Sequence, residues 1–170
     1  MRRATADDAA SLAAFARTAF IDTFAAHNDS RDMAEYVATS FGESVQRAEL
    51  ADPALIVFLA EHESELAGYA VLREGPAPEC VSANTSIEIA RLYSAKRFIG
   101  AGVGALLMRR CLEEAEARGK DAVWLGVWEQ NTRAIAFYDR WSFADVGSLP
   151  FMLGRDRQTD RVMVRRVGPS

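Results

Sequence analysis

The sequence predicts an α/β domain with a mixed, mostly antiparallel sheet of about six or seven strands flanked by about four helices. Three observations carry this. Alternating or near-continuous apolar runs recur along the chain and read as strands. Between them lie segments whose apolar residues return every three or four positions, as in helices packed on one face. The resulting order is two helices, three strands, then helix, strand, helix and two strands, with a short strand near residues 1–4. It shows neither repeat nor linker, so residues 1–170 read as one domain.

Each element has its own signal. "TADDAASLAAFARTAF" opens with Thr5 and has Asp8 three positions later, a capping box with Asp in place of the usual Glu. Leu12, Phe15, Ala16, Ala19 and Phe20 then recur at helical spacing. A loop is expected around His27–Ser30, and a second helix from about Arg31 to Leu50, ended by Pro53. "ALIVFLAEHE" and "ELAGYAVLREG" form a hairpin, and "GPAPECVSANTS" a loop. "IEIARLYS" is a strand of mixed faces that carries Glu88. After a glycine string, Val103, Leu107 and Cys111 line one face of a helix that Gly119 stops. "AVWLGVW" reads as a buried strand. "NTRAIAFYDRW" sets Ala134, Phe137, Tyr138 and Trp141 on one helical face, with Asn131 as N-cap. "FADVGSLPFML" and "DRVMVRRV" are two final strands around a polar turn.

Composition narrows the function classes. With 49% hydrophobic and 26% charged residues the chain reads as a soluble globular protein. A net charge of −4 gives no nucleic-acid footprint, and no apolar run approaches membrane-spanning length. Cys80 and Cys111 stand in unlike contexts, with no Cys/His cluster, so neither a disulfide framework nor a metal site is expected. The first residues lack the apolar core of a signal peptide, and a cytoplasmic location is the default.

The chemistry concentrates in "RFIGAGVGALLMRR", with glycines at 100, 102 and 104. A P-loop requires Gly-Lys-Ser/Thr, whereas Ala105 and Leu106 follow Gly104. The dinucleotide fingerprint GxGxxA is literally present. It should start directly at a strand end and have an acid at the tip of the next strand, and here Asp121 precedes that strand. A pyrophosphate loop running into a helix fits better. Glycine amides approach an anion closely, the helix N-terminus adds partial positive charge, and Arg97 is available beside it.

Joined to "VWLGVWEQNTRAIAFYDRWSF", this string resembles the GNAT superfamily of acyl-CoA-dependent N-acetyltransferases over nearly all the chain. The family's Gln/Arg-x-x-Gly-x-Gly/Ala signature reads Arg97-Phe98-Ile99-Gly100-Ala101-Gly102, and its later asparagine and tyrosine correspond to Asn131 and Tyr138. Ile99 departs from the pattern, since Arg or Gln commonly stands there. The resemblance implies a GNAT fold and acetyl transfer from acetyl-CoA, with no metal, to the primary amine of a small molecule. It implies pyrophosphate contacts along Arg97, Phe98, Ile99, Gly100, Ala101, Gly102, Val103 and Gly104. It implies backbone contacts to the pantetheine arm from Leu92, Tyr93 and Ser94, and further contacts from Asn131 and Ala134. Tyr138 is then the proton donor to the departing thiolate, and Glu88 is the strand-borne candidate for general base.

"FGESVQRAELADP", "ELAGYAVL" and "GSLPFMLGRDRQTDRVM" are also similar to the PaiA branch of polyamine acetyltransferases. Polyamine recognition would need acids around the acceptor groove, for which Asp22, Asp29, Asp32 and Glu35 are the candidates. Alternatives are a non-catalytic acyl-CoA-binding module, acetylation of a peptide amine, and a nucleotide-dependent oxidoreductase. The oligomeric state, a homodimer included, is left open.

Overall fold

The computed structural model describes residues 1–168. A seven-stranded sheet forms its centre: β1 (Arg2–Arg3), β2 (Leu55–His62), β3 (Glu65–Arg73), β4 (Ser86–Ser94), β5 (Ala122–Trp128), β6 (Ala144–Leu153) and β7 (Asp156–Arg166). The strand order is β1-β2-β3-β4-β5-β7-β6. Only β4 and β5 pair in parallel, and the other neighbours are antiparallel. Among the described residues five α-helices accompany the sheet: α1 (Ala9–Phe24), α2 (Ser30–Ser40), α3 (Glu43–Ala51), α4 (Val103–Ala117) and α5 (Thr132–Arg140).

Two main cores follow from the alternation of side chains across the sheet, with a smaller cluster of Val81, Trp124 and Val162 beside them. One face packs Ile56, Phe58, Leu72, Ile87, Val123 and Leu125 against Leu107, Met108 and Cys111 of α4 and Tyr138 of α5. The other packs Val57, Leu59, Tyr69 and Val71 against Leu12, Ala16 and Phe20 of α1 and Met33 and Val37 of α2. Leu12, Ala16, Ala19 and Phe20 are the buried stripe that the periodicity of α1 predicts.

Local signals explain most boundaries. The Thr5 N–H donates to the Asp8 carboxylate at 2.7 Å, which opens a single 3₁₀ turn ahead of α1. The β2–β3 hairpin turns through Glu63 and Ser64, both at positive φ, as a two-residue primed turn requires. Gly119 ends α4 at φ 65°.

The segment expected as one helix from Arg31 to Leu50 is two. Gly42 is extended (φ −142°, ψ 155°) and starts α3 anew, while Phe41 turns into the core. Buried Gln46 holds the break by donating to the Ser40 carbonyl at 3.2 Å.

Sheet and helix approach each other closely at Gly68 of β3. A Cβ there would stand 2.8 Å from Val103 Cγ1, 3.0 Å from Leu107 Cδ1 and 2.7 Å from the Tyr93 carbonyl oxygen. Gly68→Ala is therefore expected to lower unfolding stability by about 1–3 kcal/mol through overpacking, read from the urea midpoint at unchanged slope.

Candidate active site

The site begins with a pairing that stops early. β4 and β5 share only three register pairs, Ser86–Ala122, Ile87–Val123 and Glu88–Trp124. Both strands run on, β4 to Ser94 held by β3 and β5 to Trp128 held by β7. Ala90 is the extra residue of a bulge where the β3–β4 register shifts, and a bulged strand bends and twists more strongly. Beyond Glu88 the facing edges of β4 and β5 present backbone groups without a strand partner, which need one from elsewhere.

A cleft of about 610 Å³ fills the split and reaches both faces of the sheet. On the α4/α5 face it is lined by Ile89, Leu92, Val127, Phe137 and Tyr138. On the α1/α2 face it is lined by Ala90, Tyr93, Gly126, Trp128 and Asp160 together with Phe20, Phe24 and Tyr36.

The glycine string forms one end. After a 3₁₀ turn over Lys96–Phe98, Gly100 and Gly102 take φ of 84° and 89°, a backbone that side chains rarely accept. α4 then starts at Val103, and the Leu106 N–H donates to the Gly102 carbonyl at 2.9 Å. The amides of the first turn ahead of it have no acceptor within the helix and suit an anion.

Phe98, Ile99, Gly100, Gly102 and Gly104 line the cleft, as do Leu92, Tyr93, Ser94, Asn131, Ala134 and Tyr138. Arg97, Ala101, Val103 and Glu88 lie off the lining. Arg97 pairs with Glu65 and lies over the Phe98 ring, 4.9 Å from its centroid. Two cations that sequence reading did not single out, Arg133 and Arg140 of α5, line the cleft instead. The Ile99 side chain is 44% exposed.

Two groups on α5 have clear local chemistry. Asn131 Oδ1 accepts the Ala134 N–H at 3.2 Å, so the residue caps the helix while its amide group remains available to the cleft. Tyr138 is buried beside Phe137 and Phe143, with ring centroids 5.5 and 5.9 Å away. Burial pushes its phenol above the ordinary value, so the hydroxyl stays protonated and serves as a donor at neutral pH. Burial likewise pushes the Cys111 thiol up to about 12, which leaves it a packing group.

The acids fall out differently from expectation. Glu88 sits at the apex of the split, half-buried, with Arg73 at 3.4 Å. Burial raises its pKa, partly offset by Arg73 and Arg91. Asp29 caps α2 by accepting the Arg31 N–H at 2.8 Å, and Asp32 accepts the Arg155 N–H at 3.0 Å. Neither lines the cleft, nor do Asp22 and Glu35.

The carboxylate that does line it is Asp160 of β7. It lies opposite Trp128 in register, and a Cβ on Gly126 would stand 3.3 Å from its Oδ2. Gly126 is exposed in an otherwise buried strand and leaves room for this carboxyl. Burial pushes Asp160 up to about 6. In sequence it belongs to the Gln158-Thr159-Asp160 triplet, the most distinctive part of the similarity to the PaiA branch, but nothing there marked it as a cleft acid. Its position depends on β7 entering the sheet between β5 and β6.

Among the described residues no helix is long and apolar enough to cross a membrane, and no three His, Cys, Asp or Glu side chains gather to hold a metal ion.

A split parallel pair with a glycine-led helix terminus at one end and a buried phenol beside it defines a fold class, and comparison with known proteins agrees. Residues 12–143 match the acetyltransferase (GNAT) family. An uncharacterized N-acetyltransferase from Lactobacillus delbrueckii subsp. lactis is 33% identical over 91% of this chain and 89% of its own. The crystal structure of PaiA N-acetyltransferase from Thermoplasma acidophilum in complex with coenzyme A superposes with a TM-score of 0.76 at 17% identity, covering 97% of this chain and 96% of that one. YncA from Salmonella typhimurium, a putative acetyltransferase solved with acetyl-CoA, gives 0.67 at 21% identity over 99% and 94%. The chain belongs to the GNAT acetyltransferase family.

The half-buried acid has a measurable signature. A carboxyl raised to about 6 in the fold costs stability once it ionises. That cost is absent below its ordinary value near 4 and complete above pH 6. Asp160→Asn is expected to match the parent protein's stability at pH 4 and exceed it at pH 8, measured by denaturant unfolding at both pH values.

Proposed function

We propose that the chain transfers an acetyl group from acetyl-CoA directly to a primary amine of a small molecule. The observation that carries this is the cleft through the sheet, which joins the glycine-lined helix terminus, Asn131 and Tyr138 on one continuous surface.

The residues present fit the donor. Free first-turn amides of α4 suit a pyrophosphate. Arg133 and Arg140 supply full charges that Ile99 and the Glu65-bound Arg97 do not. The unpaired edge of β4 from Ile89 to Ser94 suits the amide-bearing pantetheine arm, which pairs as a partial strand. Acetyl-CoA supplies an activated thioester when bound. The chain holds the amine against it, offers backbone N–H groups to the carbonyl oxygen, and delivers a proton from the Tyr138 hydroxyl to the leaving sulfur. The C–N bond forms as the C–S bond breaks, the nitrogen sheds its remaining excess proton to water in the open cleft, and the Tyr138 phenolate is reprotonated from that water, so no enzyme nucleophile is required.

A neutral amine must be produced first. Glu88 is engaged by Arg73 away from the cleft lining, whereas Asp160 faces it. Polyamine specificity draws no support from Asp22, Asp29, Asp32 and Glu35, which stand off the lining. A cytoplasmic location accompanies this function. The non-catalytic alternative predicts coenzyme A binding with no thiol release for any amine, so a broad amine screen that follows free thiol separates the two.

Two variants test the assignments. Tyr138→Phe is expected to lower turnover about 100-fold while leaving coenzyme A affinity within about twofold, measured by steady-state thiol release and titration calorimetry. Unchanged turnover removes Tyr138 from the donor role. Arg133→Ala combined with Arg140→Ala is expected to weaken coenzyme A binding about tenfold and flatten its salt dependence, with Arg97→Ala close to neutral.

A further inference from the structure

The end of the cleft opposite the glycines is walled by rings. Phe20 and Tyr36 stack at 4.8 Å, and Phe20 lies 4.6 Å from Phe24. Phe24 meets Trp128 edge-on at 5.9 Å, and Tyr36 meets Phe151 at 5.5 Å. These five side chains come from α1, α2, β5 and β6, and all line the cleft. Asp160 stands at the edge of this wall, on the same sheet face as Trp128 and beside the split.

The charges nearby are already committed. Arg91 lines this end, and Glu49 holds it in two hydrogen bonds of 2.7 and 2.8 Å. Gln158 is held by Asn28 and Asp156. Asp160 alone offers a carboxylate to an incoming cation from the lining, since Glu49 and Asp156 are not part of it.

We propose that the acceptor is a primary amine carried on an aromatic or bulky apolar body, with its nitrogen at Asp160 and its body among the rings of α1, α2, β5 and β6; this rests on the transferase function proposed above. The ammonium passes one proton to the Asp160 carboxylate, which leaves a nitrogen lone pair free and a neutral carboxyl. That proton then leaves to solvent through the open cleft. A carboxyl near 6 holds such a proton better than an ordinary aspartate. An apolar body suits the wall because aromatic faces gain most from burying flat apolar area. A polyamine would bring further ammonium groups into a cleft whose lining carries Arg91, Arg133 and Arg140 but no further carboxylate to meet them.

The test uses the full chain with saturating acetyl-CoA and a panel of 2-phenylethylamine, tryptamine, ethanolamine and spermidine, following free thiol. The expected kcat/KM for the aromatic amines exceeds that for ethanolamine and spermidine by at least about tenfold. Equal values, or a preference for spermidine, overturn the acceptor class and leave the transferase function standing. Thiol release with none of the amines in the panel or in the broad screen, while coenzyme A still binds in calorimetry, overturns both.

Two variants locate the subsite. Tyr36→Ala is expected to cut kcat/KM for 2-phenylethylamine about tenfold and that for ethanolamine less than about twofold, with Tyr36→Phe near the parent value. Equal losses for both amines sink the aromatic wall. Asp160→Asn is expected to lower kcat and raise KM for 2-phenylethylamine, cutting kcat/KM at least about tenfold, with coenzyme A affinity retained, which also reports an intact fold. An unchanged KM and kcat remove Asp160 from the acceptor site.

Discussion

The structure turns on the point where β4 and β5 stop pairing. After Glu88 and Trp124 each strand is held from its outer side alone, β4 by β3 and β5 by β7. A split sheet would be unstable if one core had to bridge it. Here each edge is anchored through its outer neighbour and through side-chain clusters, β4 on both faces of the sheet and β5 through the α4/α5 core and a smaller cluster around Trp124. Tyr69 and Tyr93 stack at 5.7 Å across β3 and β4, and Trp124 packs with Val162 across β5 and β7. The opening is therefore a supported feature, and its backbone is left free of a strand partner.

Charge is distributed around that opening by packing. In sequence, Arg97 is the cation nearest the glycines. In the fold it belongs to Glu65 at the start of β3 and lies on Phe98. That exposed pair contributes little stability, but it removes Arg97 from the cleft. Arg133 and Arg140 lie seven positions apart on α5 and so share a helical face, which brings both to the lining.

How much of this was legible follows from range. The stripe on α1, the Glu63–Ser64 hairpin and the Gly119 stop are local signals, and each appears in the fold. Asn131 and Tyr138 were legible because one short helix fixes their spacing. The interruption at Gly42 was hidden because helical periodicity resumes on its far side, and buried Gln46 ties the two helices together only in three dimensions. Glu88 and Asp160 are both acids on strands. Choosing between them required knowing that β7 inserts beside β5, that Arg73 pairs with Glu88, and that Gly126 leaves space at Asp160.

Tyr138 and Asp160, two titratable groups of the cleft, sit on opposite faces of the sheet. Tyr138 belongs to the core under α4 and α5, while Asp160 shares its face with Trp128. Burial raises both, so at neutral pH the phenol holds its proton and the carboxyl titrates near 6. Were they adjacent, a hydrogen bond from phenol to carboxylate would quench both as donor and acceptor. The sheet keeps them apart, and the split is where a bound molecule can meet both. A reaction that takes a proton on one side and delivers one on the other needs that separation. The same three-pair limit that frees the backbone of β4 also supplies it.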